Sequence, residues 1–433
     1  MKKIILFHFI LLIPEFIYAQ ASWYQVPAAP LTPYRIDDVT FINDSTGWTV
    51  SNDTVFKTTN KGETWSALSI FNDYMRSIEF LDGQTGFIGT LDTQIGPITY
   101  EAGLFKTTDG GLTFTRIDSL LPVPPDGGIC GMAHLNNLVL AVGSLFSERK
   151  VYKSTDAGLT WTLINLDSLA NSLIDVYIID NNTYIVSGQS DSLTGYKAII
   201  IKTTDGGLTW TPLVYSSIFP DSYCWKIFMR AGGRGLASID DAGSAAVFRT
   251  TDNGNTWSEI IFPNHPYQDL GGVGLLNDTL GWAGAQFGLG MYQTIDGGIS
   301  WTPFNFGLKI DRMAAVDSVT MLAVGRTVYK YGAHTVGIAN PPYLEKDAHE
   351  LKIFPDPAQD KLTVELKLNS GTTTILNLFD EKGSMVKKID HKFYPKGEHK
   401  WSIDLHGIKN GNYFLHLITK EQNFVRKFQV VHE

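Results

Sequence analysis

Eight side chains that could bind a ligand or move a proton recur at one position of the chain, just before short apolar runs such as Val39-Thr40-Phe41 and Ile78-Glu79-Phe80. They are Asp37, Asp38, Arg76, Asp175, Trp225, Lys226, Asp311 and Arg312. Two carboxylates facing each other across a cleft can serve as the acid and the base of glycoside hydrolysis. The candidate pairs are Asp37 or Asp38 with Asp175 or Asp311.

The same residue types also allow two interpretations in which the protein catalyses no reaction. The indole of Trp225 offers a stacking face for a sugar or a side chain, so the eight residues would form a ligand-contacting ring. Alternatively, the charges only pair with one another in a water-filled channel. The long segment 90–103, with Tyr100, and the Pro-rich segment 120–128 could form a lip beside the ring or be surface loops without function.

The polar positions lie between two apolar columns, which predicts the start of a buried strand. Cys224 falls in one apolar column, and Cys130 lies a whole repeat unit away from it. A disulfide needs Cα atoms within about 7 Å. We therefore expect two buried free thiols.

An octet, Thr203-Thr204-Asp205-Gly206-Gly207-Leu208-Thr209-Trp210, repeats through the first three-quarters of the chain. The six copies start 49, 47, 49, 47 and 44 residues apart. Each follows a short apolar-basic run such as Val55-Phe56-Lys57, which predicts a hairpin turn between two strands. The acidic or amide side chain can accept hydrogen bonds from the amides ahead of it, and the glycine supplies a left-handed residue. These side chains are Asn60, Asp109, Asp156, Asp205, Asp252 and Asp296.

The octet resembles the Asp-box, or BNR repeat, of sialidase-like and photosystem II assembly-factor-like β-propellers. That resemblance implies a structural turn at the blade periphery. Seven apolar runs of the kind described above occur against six octets, and Ser22-Trp23-Tyr24 supplies the outer strand that the last unit lacks. We predict an all-β chain with a seven-bladed β-propeller at 20–335, four strands to a blade, whose N-terminal strand completes the last blade.

Residues 1–19 are predicted to be a secretory signal peptide, because Met1-Lys2-Lys3 precedes an apolar run and Tyr18-Ala19 ends it. The run is too short to span a membrane, and no transmembrane segment is expected elsewhere. A formal net charge of -9 argues against nucleic-acid binding. The mature protein is expected outside the cytoplasm.

After a linker at 336–345, residues 346–433 alternate as seven short strands, which predicts a small antiparallel β-sandwich. This segment resembles the C-terminal sorting domain of the type IX (Por) secretion system. The matching residues include Pro355, Pro357, Gly383, Gly411, Tyr413 and Lys427. The resemblance implies type IX secretion machinery as a partner, export across a bacterial outer membrane, removal of the tail, and release or attachment to surface lipopolysaccharide.

An enzyme of a known class carries its catalytic residues in a recognisable pattern, and the sequence shows little of such a pattern. Sialidases carry Arg-Ile-Pro near their start, whereas Arg35-Ile36-Asp37 lacks the proline. No nucleophile elbow and no metal-spaced His or Cys set occurs, so no metal and no cofactor are expected. The sequence therefore predicts a secreted or surface-displayed scaffold for a glycan or a protein. The alternative is a sialidase- or xyloglucanase-like glycoside hydrolase with acid and base aspartates at the central channel.

Overall fold

The computed structural model describes residues 21–30, 32, 35–95, 98–143, 149–217, 221–240, 245–262, 269–333, 351–368, 371–380, 385–419 and 423–432. The predicted signal peptide, the predicted linker and Gly383 lie outside these residues. The chain divides into two compact units, Met1–Ala339 and Asn340–Glu433. No helix of the described part is long and apolar enough to cross a membrane.

The described part of the first unit is built almost wholly from β-strands, with one 3-10 turn at Asp118–Leu120. Alternating apolar and polar residues, bounded by Gly, Asn and Asp turns, favour strands throughout. The strands are β1 Ala21–Gln25, β2 Ile36–Phe41, β3 Gly47–Ser51, β4 Thr54–Thr58, β5 Ser66–Ile70, β6 Tyr74–Phe80, β7 Gly86–Leu91, β8 Thr93–Ile95, β9 Ile98–Tyr100, β10 Gly103–Thr107, β11 Thr115–Arg116, β12 Gly131–Leu135, β13 Leu138–Gly143, β14 Lys150–Ser154, β15 Thr162–Asn165, β16 Ser172–Ile178, β17 Tyr184–Gln189, β18 Ala198–Thr203, β19 Thr211–Tyr215, β20 Tyr223–Met229, β21 Gly235–Asp240, β22 Ala246–Thr250, β23 Ser258–Ile261, β24 Leu270–Leu275, β25 Gly281–Ala285, β26 Leu289–Thr294, β27 Thr302–Leu308, β28 Arg312–Ala315, β29 Met321–Val324 and β30 Val328–Ala333.

These strands form seven four-stranded antiparallel sheets in the described residues, together with the small hairpin β8–β9. The first strand of each sheet packs against the first strand of the next, and β28 of the last sheet packs against β2 of the first. The sheets therefore close into a ring around a central channel. This confirms the predicted all-β class with a propeller architecture.

The ring closes with a strand from the far end of the sequence. β1 pairs antiparallel with β30, with Ala21 opposite Ala333 and Gln25 opposite Tyr329. The indole of Trp23 is buried and meets that of Trp282, with the ring centroids 5.0 Å apart. The N-terminal strand thus covers the edge of the last sheet.

The octet joins the third and fourth strands of six sheets. In the copy at Thr203, the carboxylate of Asp205 accepts hydrogen bonds from the amide of Thr209 at 2.9 Å and from its hydroxyl at 2.6 Å. Two successive residues, Gly206 and Gly207, have positive φ angles of 75° and 94°. The sequence predicted a left-handed residue at the glycine that every octet shares, which is Gly207 in this copy. The residue before it, Gly206, is left-handed as well. Non-glycine residues also adopt that second conformation, at Lys61, Ala157 and Asn253.

A basic residue at the end of the third strand links each of four sheets to the next. The side chain of Lys106 donates to the carbonyl of Ala157 and that of Lys153 to the carbonyl of Gly206, both at 2.8 Å. Lys202 and Arg249 make the equivalent bonds to the following octets. Hydrophobic clusters fill the spaces between sheets, and Cys130 and Cys224 are buried and not joined in a disulfide, as predicted.

The second unit is a sandwich of a three-stranded and a four-stranded sheet. Its strands are β31 Lys352–Phe354, β32 Lys361–Leu368, β33 Thr372–Asp380, β34 Met385–Tyr394, β35 Gly397–Asp404, β36 Gly411–Ile418 and β37 Asn423–Val430. The inward-facing residues of both sheets share one apolar core that includes Leu362, Trp401 and Phe428. This confirms the predicted C-terminal β domain.

Candidate functional site

All eight predicted ring residues lie at the start of the first strands, around the central channel. Seven are buried, with exposures between 0 and 7%, and only the side chain of Arg312 reaches 19%. In five of the seven first strands the register shifts at this point, for example between Ile36 and Asp38 and between Cys224 and Ile227. A bulge adds a residue and re-aims its side chain. Two consecutive side chains of one strand can therefore face the channel.

The first residues of these pairs form one set of contacts, the first ring: Asp37, Arg76, Trp225 and Asp311. Asp37 accepts a hydrogen bond from the Arg35 Nε atom at 2.9 Å, another from Arg76 and a third from the Tyr74 hydroxyl at 3.2 Å. The guanidinium of Arg76 also lies over the indole of Trp225, 5.1 Å from the ring centroid. The Asp37 carboxylate is therefore held by three neighbouring side chains.

The second residues of the pairs form the second ring: Asp38, Asp175, Lys226 and Arg312. Arg312 lies between two carboxylates, with Nη1 2.5 Å from Asp175 Oδ2 and Nε 3.4 Å from Asp38 Oδ1. Asp38 also accepts the backbone amide of Ile78 at 3.1 Å. Asp175 accepts that of Ile227 at 2.8 Å. Both carboxylates thus tie one sheet to the following sheet.

Formal charges around the channel balance. The cations are Arg35, Arg76, Lys226 and Arg312, and the anions are Asp37, Asp38, Asp175 and Asp311. Buried charges are stable only when they are paired. The two rings supply most of that pairing themselves. A ligand-contacting role for these residues stays a prediction.

Two of the charged groups lack a hydrogen-bond partner among the described residues, Lys226 Nζ and the Asp311 carboxylate. Burial lowers the pKa of Lys226 and raises the pKa of Asp311 to about 7, while Arg35 and Asp37 act on Asp311 in opposite directions. The two lie on the fifth and seventh sheets. The sixth sheet, between them, places Gly271 and Gly272 at the ring positions and offers neither a side-chain partner.

Three residues at the channel were not among the predicted ring residues: Arg35, Tyr74 and Gln286. Arg35 and Tyr74 each lie one residue before an apolar column that the sequence did show. Gln286 follows the second strand of its sheet, where Asn52 and Gln189 occupy the same place and are likewise buried. A polar residue directly after the second strand was the signal that could have located it.

The segment predicted as a lip does lie beside the ring. Its hairpin β8–β9 brings Tyr100 to Tyr74, with the ring centroids 6.1 Å apart, and into the same apolar cluster as Trp225. The Asn52 amide donates to the Tyr100 hydroxyl at 3.5 Å. The Pro-rich segment packs on the third sheet, where the carbonyl of Pro124 accepts the Tyr152 hydroxyl at 3.1 Å. Tyr100 therefore packs against the ring end of the first and second sheets.

Connections between strands divide the propeller into two ends. The ring end carries the connections that precede each first strand and those between second and third strands. The octet end carries the others, because neighbouring strands run antiparallel. At the ring end Ile98, Leu193, Tyr196 and Phe287 are exposed, all four on connections between second and third strands. No group of three or more potential metal ligands occurs in the part of the chain that the structure describes.

The described sorting residues are distributed over several parts of the second unit. Pro355 and Pro357 line a surface cavity of about 820 Å³ together with Asp360, Lys361 and His406. Gly411 begins β36, Tyr413 is buried in the core, and Lys427 lies on β37. Their role as a signal stays a prediction.

A ring of four-stranded sheets with a buried, charge-paired channel defines a β-propeller, and a separate β-sandwich follows it. Residues 352–431 match the family model of the secretion system C-terminal sorting domain, the Por secretion tail. The match implies export through type IX secretion, to the cell surface or outside. No curated protein sequence matches the chain.

Solved structures share the propeller fold. YCF48 from Cyanidioschyzon merolae is 20% identical, with a TM-score of 0.53, over 72% of this chain and 99% of that one. A YCF48 bound to D1 peptide is 17% identical, with a TM-score of 0.52, over 72% and 97%. The GH74 xyloglucanase from Xanthomonas campestris is 14% identical, with a TM-score of 0.55, over 80% of this chain and 60% of the enzyme's. Such low identities show a common fold and nothing finer.

Proposed function

We propose that the protein is an exported binding scaffold, whose propeller holds a glycan or another surface protein at its ring end. The observation that carries the proposal is the state of the ring carboxylates. Asp37, Asp38 and Asp175 accept hydrogen bonds from arginines and backbone amides, so they brace the sheets. A braced channel gives rigid support to the connections around it, and rigid scaffolds with variable connections commonly bind ligands.

The exposed apolar side chains of the ring end would supply the contact area. They lie on connections of the second, fourth and sixth sheets, so a ligand that touches them all would span the mouth of the channel. The YCF48 structure bound to D1 peptide supports binding by a propeller of this fold. In this proposal residues 1–19 are a signal peptide, the Asp-box-like octets are structural turns, and the tail directs the chain to the surface, for release or attachment to lipopolysaccharide.

Glycoside hydrolysis is the second candidate, and Asp311 is the observation that favours it. A buried carboxyl group whose pKa is raised to about 7 can act as a general acid near neutral pH. Its counterpart would be Asp175, which is engaged with Arg312. Release of reducing sugar from polysaccharides by the mature chain, lost in Asp311→Asn and in Asp175→Asn, would establish this candidate in place of the scaffold.

The scaffold is tested by binding to a glycan array and by pull-down of identified surface proteins with the mature full chain. We expect a ligand whose binding falls at least tenfold when Leu193, Tyr196 and Phe287 are together changed to alanine. The matched control changes Leu112, Leu159 and Leu208, which are equally exposed at the octet end. Equal loss in both triple variants would contradict binding at the ring end.

A further inference from the structure

Two histidines and two aspartates meet beside the surface cavity of the second unit. Asp404 ends strand β35 and His406 follows it, while Asp360 precedes β32 and His432 lies near the end of the chain. His406 Nδ1 lies 2.6 Å from Asp404 Oδ1, and His406 Nε2 lies 3.6 Å from Asp360 Oδ1. His432 Nδ1 lies 3.8 Å from the same Asp360 oxygen. The four side chains keep 29 to 67% of their surface in solvent, so protons reach them freely.

The outer contact of each ring determines which of its nitrogens carries a hydrogen. Carboxylate and carbonyl oxygens only accept hydrogen bonds. His406 Nδ1 therefore donates to Asp404, and His432 Nε2 donates to the carbonyl of Ile408 at 2.7 Å. In a neutral imidazole the second nitrogen has a lone pair and no hydrogen. With both rings neutral, two lone pairs would face the Asp360 carboxylate, which is a repulsive arrangement.

One additional proton converts this repulsion into attraction. A protonated imidazole donates from both nitrogens, so it can pair with Asp360 while it keeps its outer partner. The hydrogen bond to Asp404, together with the charges of Asp404 and Asp360, raises the pKa of His406 above its ordinary 6.5. Two lysines also face the cluster: the charge of Lys361 opposes this rise, and Lys387 donates to the Asp404 carbonyl at 2.8 Å.

The cluster includes one of the few side chains that fasten the end of the chain to the sandwich. The His432 amide donates to the Asn410 side chain at 2.8 Å, and the Asn410 side chain donates to the His432 carbonyl at 3.3 Å. One residue earlier, the Val431 amide donates to the Ala358 carbonyl at 2.9 Å. Val431 is nevertheless 39% exposed, so little apolar burial holds this end. The pairing of His432 with Asp360 therefore adds substantially to its attachment.

We propose that Asp360, His406 and His432 form a proton-dependent clasp, which holds the end of the chain against the sandwich in mildly acidic medium and releases it at higher pH. The carboxylates must be ionised, so the clasp closes only above about pH 4. It opens as His406 loses its proton, because a group whose pKa is raised by folding stabilises the folded state below that pKa and not above it.

The clasp controls a surface of the predicted sorting domain and does not depend on the scaffold function. Asp360, His406 and Val431 all line the cavity of about 820 Å³. Opening of the clasp therefore moves one wall of that cavity and exposes the last residues of the chain. The end of the sorting domain would be covered in mildly acidic medium and accessible to a partner at higher pH.

The first test is the titration of the histidine rings by NMR, with the mature full chain labelled at histidine. His406→Gln and His432→Gln assign the two signals. We expect the His406 signal to titrate above pH 6.5, and Asp360→Asn to lower its midpoint by at least half a pH unit. Glu398→Gln, an exposed acid at the opposite end of β35, is the matched control and should leave the midpoint unchanged.

Hydrogen exchange separates a clasp from the mere proximity of charges. The protection of the Val431 and His432 amides, corrected for the intrinsic exchange rate, should fall at least fivefold between pH 5.5 and pH 8.5. In Asp360→Asn this protection should be low at both pH values, whereas Glu398→Gln should behave as the wild type. The amide of Leu415, which is buried in β36, should keep its protection throughout.

Each alternative outcome contradicts the clasp. Equal protection of the terminal amides at both pH values overturns it, as does wild-type exchange in Asp360→Asn. Loss of the pH dependence in the presence of a chelator would assign the cluster to a metal ion in place of protons. Asp360 is 62% exposed, so Asp360→Asn should fold normally and the comparison stays informative. None of these measurements involves a ligand of the propeller, so failure of the clasp leaves the scaffold proposal intact.

Discussion

At the scale of single residues, the channel aspartates have different roles according to their partners. Asp38 and Asp175 accept backbone amides of the following sheet, so each carboxylate acts as a cross-link. Asp311 accepts no such amide among the described residues, and burial raises its pKa. Sequence showed four equivalent acids, but the partners of each depend on which amide the next sheet presents. Residue type alone does not contain that information.

Asp311 predicts a dependence of stability on pH. Burial raises its pKa from an ordinary 3.8 to about 7, so the folded state binds the proton more tightly than the unfolded state. The free energy of unfolding should therefore fall as the pH rises from about 4 to about 7, by roughly 1 kcal/mol for each pH unit in that range. Asp311→Asn should lack this loss and be more stable than the wild type at pH 8.

Urea denaturation of both proteins at pH 5 and pH 8 checks this. Asp92→Asn, an exposed aspartate at the ring end, is the control and should keep the wild-type dependence. If Asp311→Asn and the wild type lose stability in parallel between the two pH values, Asp311 is ionised in the folded protein at pH 5 and the argument fails.

The octet aspartates predict the opposite sign. Hydrogen bonds from Thr209 and Thr203 hold the pKa of Asp205 at about 2, below its ordinary value. Its stabilising effect should be complete above about pH 4 and be lost as the pH falls through about 2. Asp205→Ala should lower the melting temperature at pH 7 by roughly 2–4 °C.

Asp205→Asn is the informative comparison, because the first octet carries asparagine naturally. The Asn60 Oδ1 atom accepts the Thr64 amide at 3.0 Å, as Asp205 accepts that of Thr209. We expect Asp205→Asn to keep more than half of the stability that alanine loses, and to lose less on acidification. Scanning calorimetry between pH 2 and pH 7 measures both. An asparagine variant as unstable as the alanine variant would contradict the turn argument.

At the scale of elements, the octet period predicted the strands well. Turns rich in Gly, Asn and Asp and alternating apolar residues lie close together in sequence, so local chemistry determines them. The bulges at Asp37 and Trp225 are different, because a bulge depends on the register with the neighbouring strand. The polar pairs were visible in sequence, but their joint orientation into the channel was not.

The closing strand β1 predicts a large effect of one side chain. Trp23 packs against Trp282 and Phe306, with centroids 5.0 and 6.0 Å away. Trp23→Ala should cost about 3–5 kcal/mol of unfolding free energy, because it leaves a cavity where the ring closes. Tyr215→Ala, on the partly exposed outer strand β19, should cost about 1 kcal/mol or less.

Chemical denaturation of the two variants measures these values. A Trp23→Ala protein within 1 kcal/mol of the wild type would mean that β1 is dispensable. The propeller would then close through β28 and β2 alone, and the aromatic spacing that located β1 in the sequence would have no energetic meaning.

At the scale of the whole molecule, the chain joins two units with separate cores. The sorting-domain match covers residues 352–431 only. The propeller has its own closed ring of sheets and its own buried charge network, so its fold does not require the tail. Export and ligand binding should therefore be separable properties of one chain.

Removal of residues 346–433 tests that separation. In a bacterium with a type IX secretion system, we expect the truncated chain to remain in the periplasm while the full chain reaches the surface or the medium, as cell fractionation would show. The truncated chain should unfold cooperatively and keep the wild-type affinity for any ligand of the ring end.

The reciprocal fusion, in which residues 346–433 follow a periplasmic reporter, should carry that reporter outside. A truncated chain that is still exported would place the signal in the propeller, and one that is retained but unfolded would show that the propeller depends on the tail for its stability.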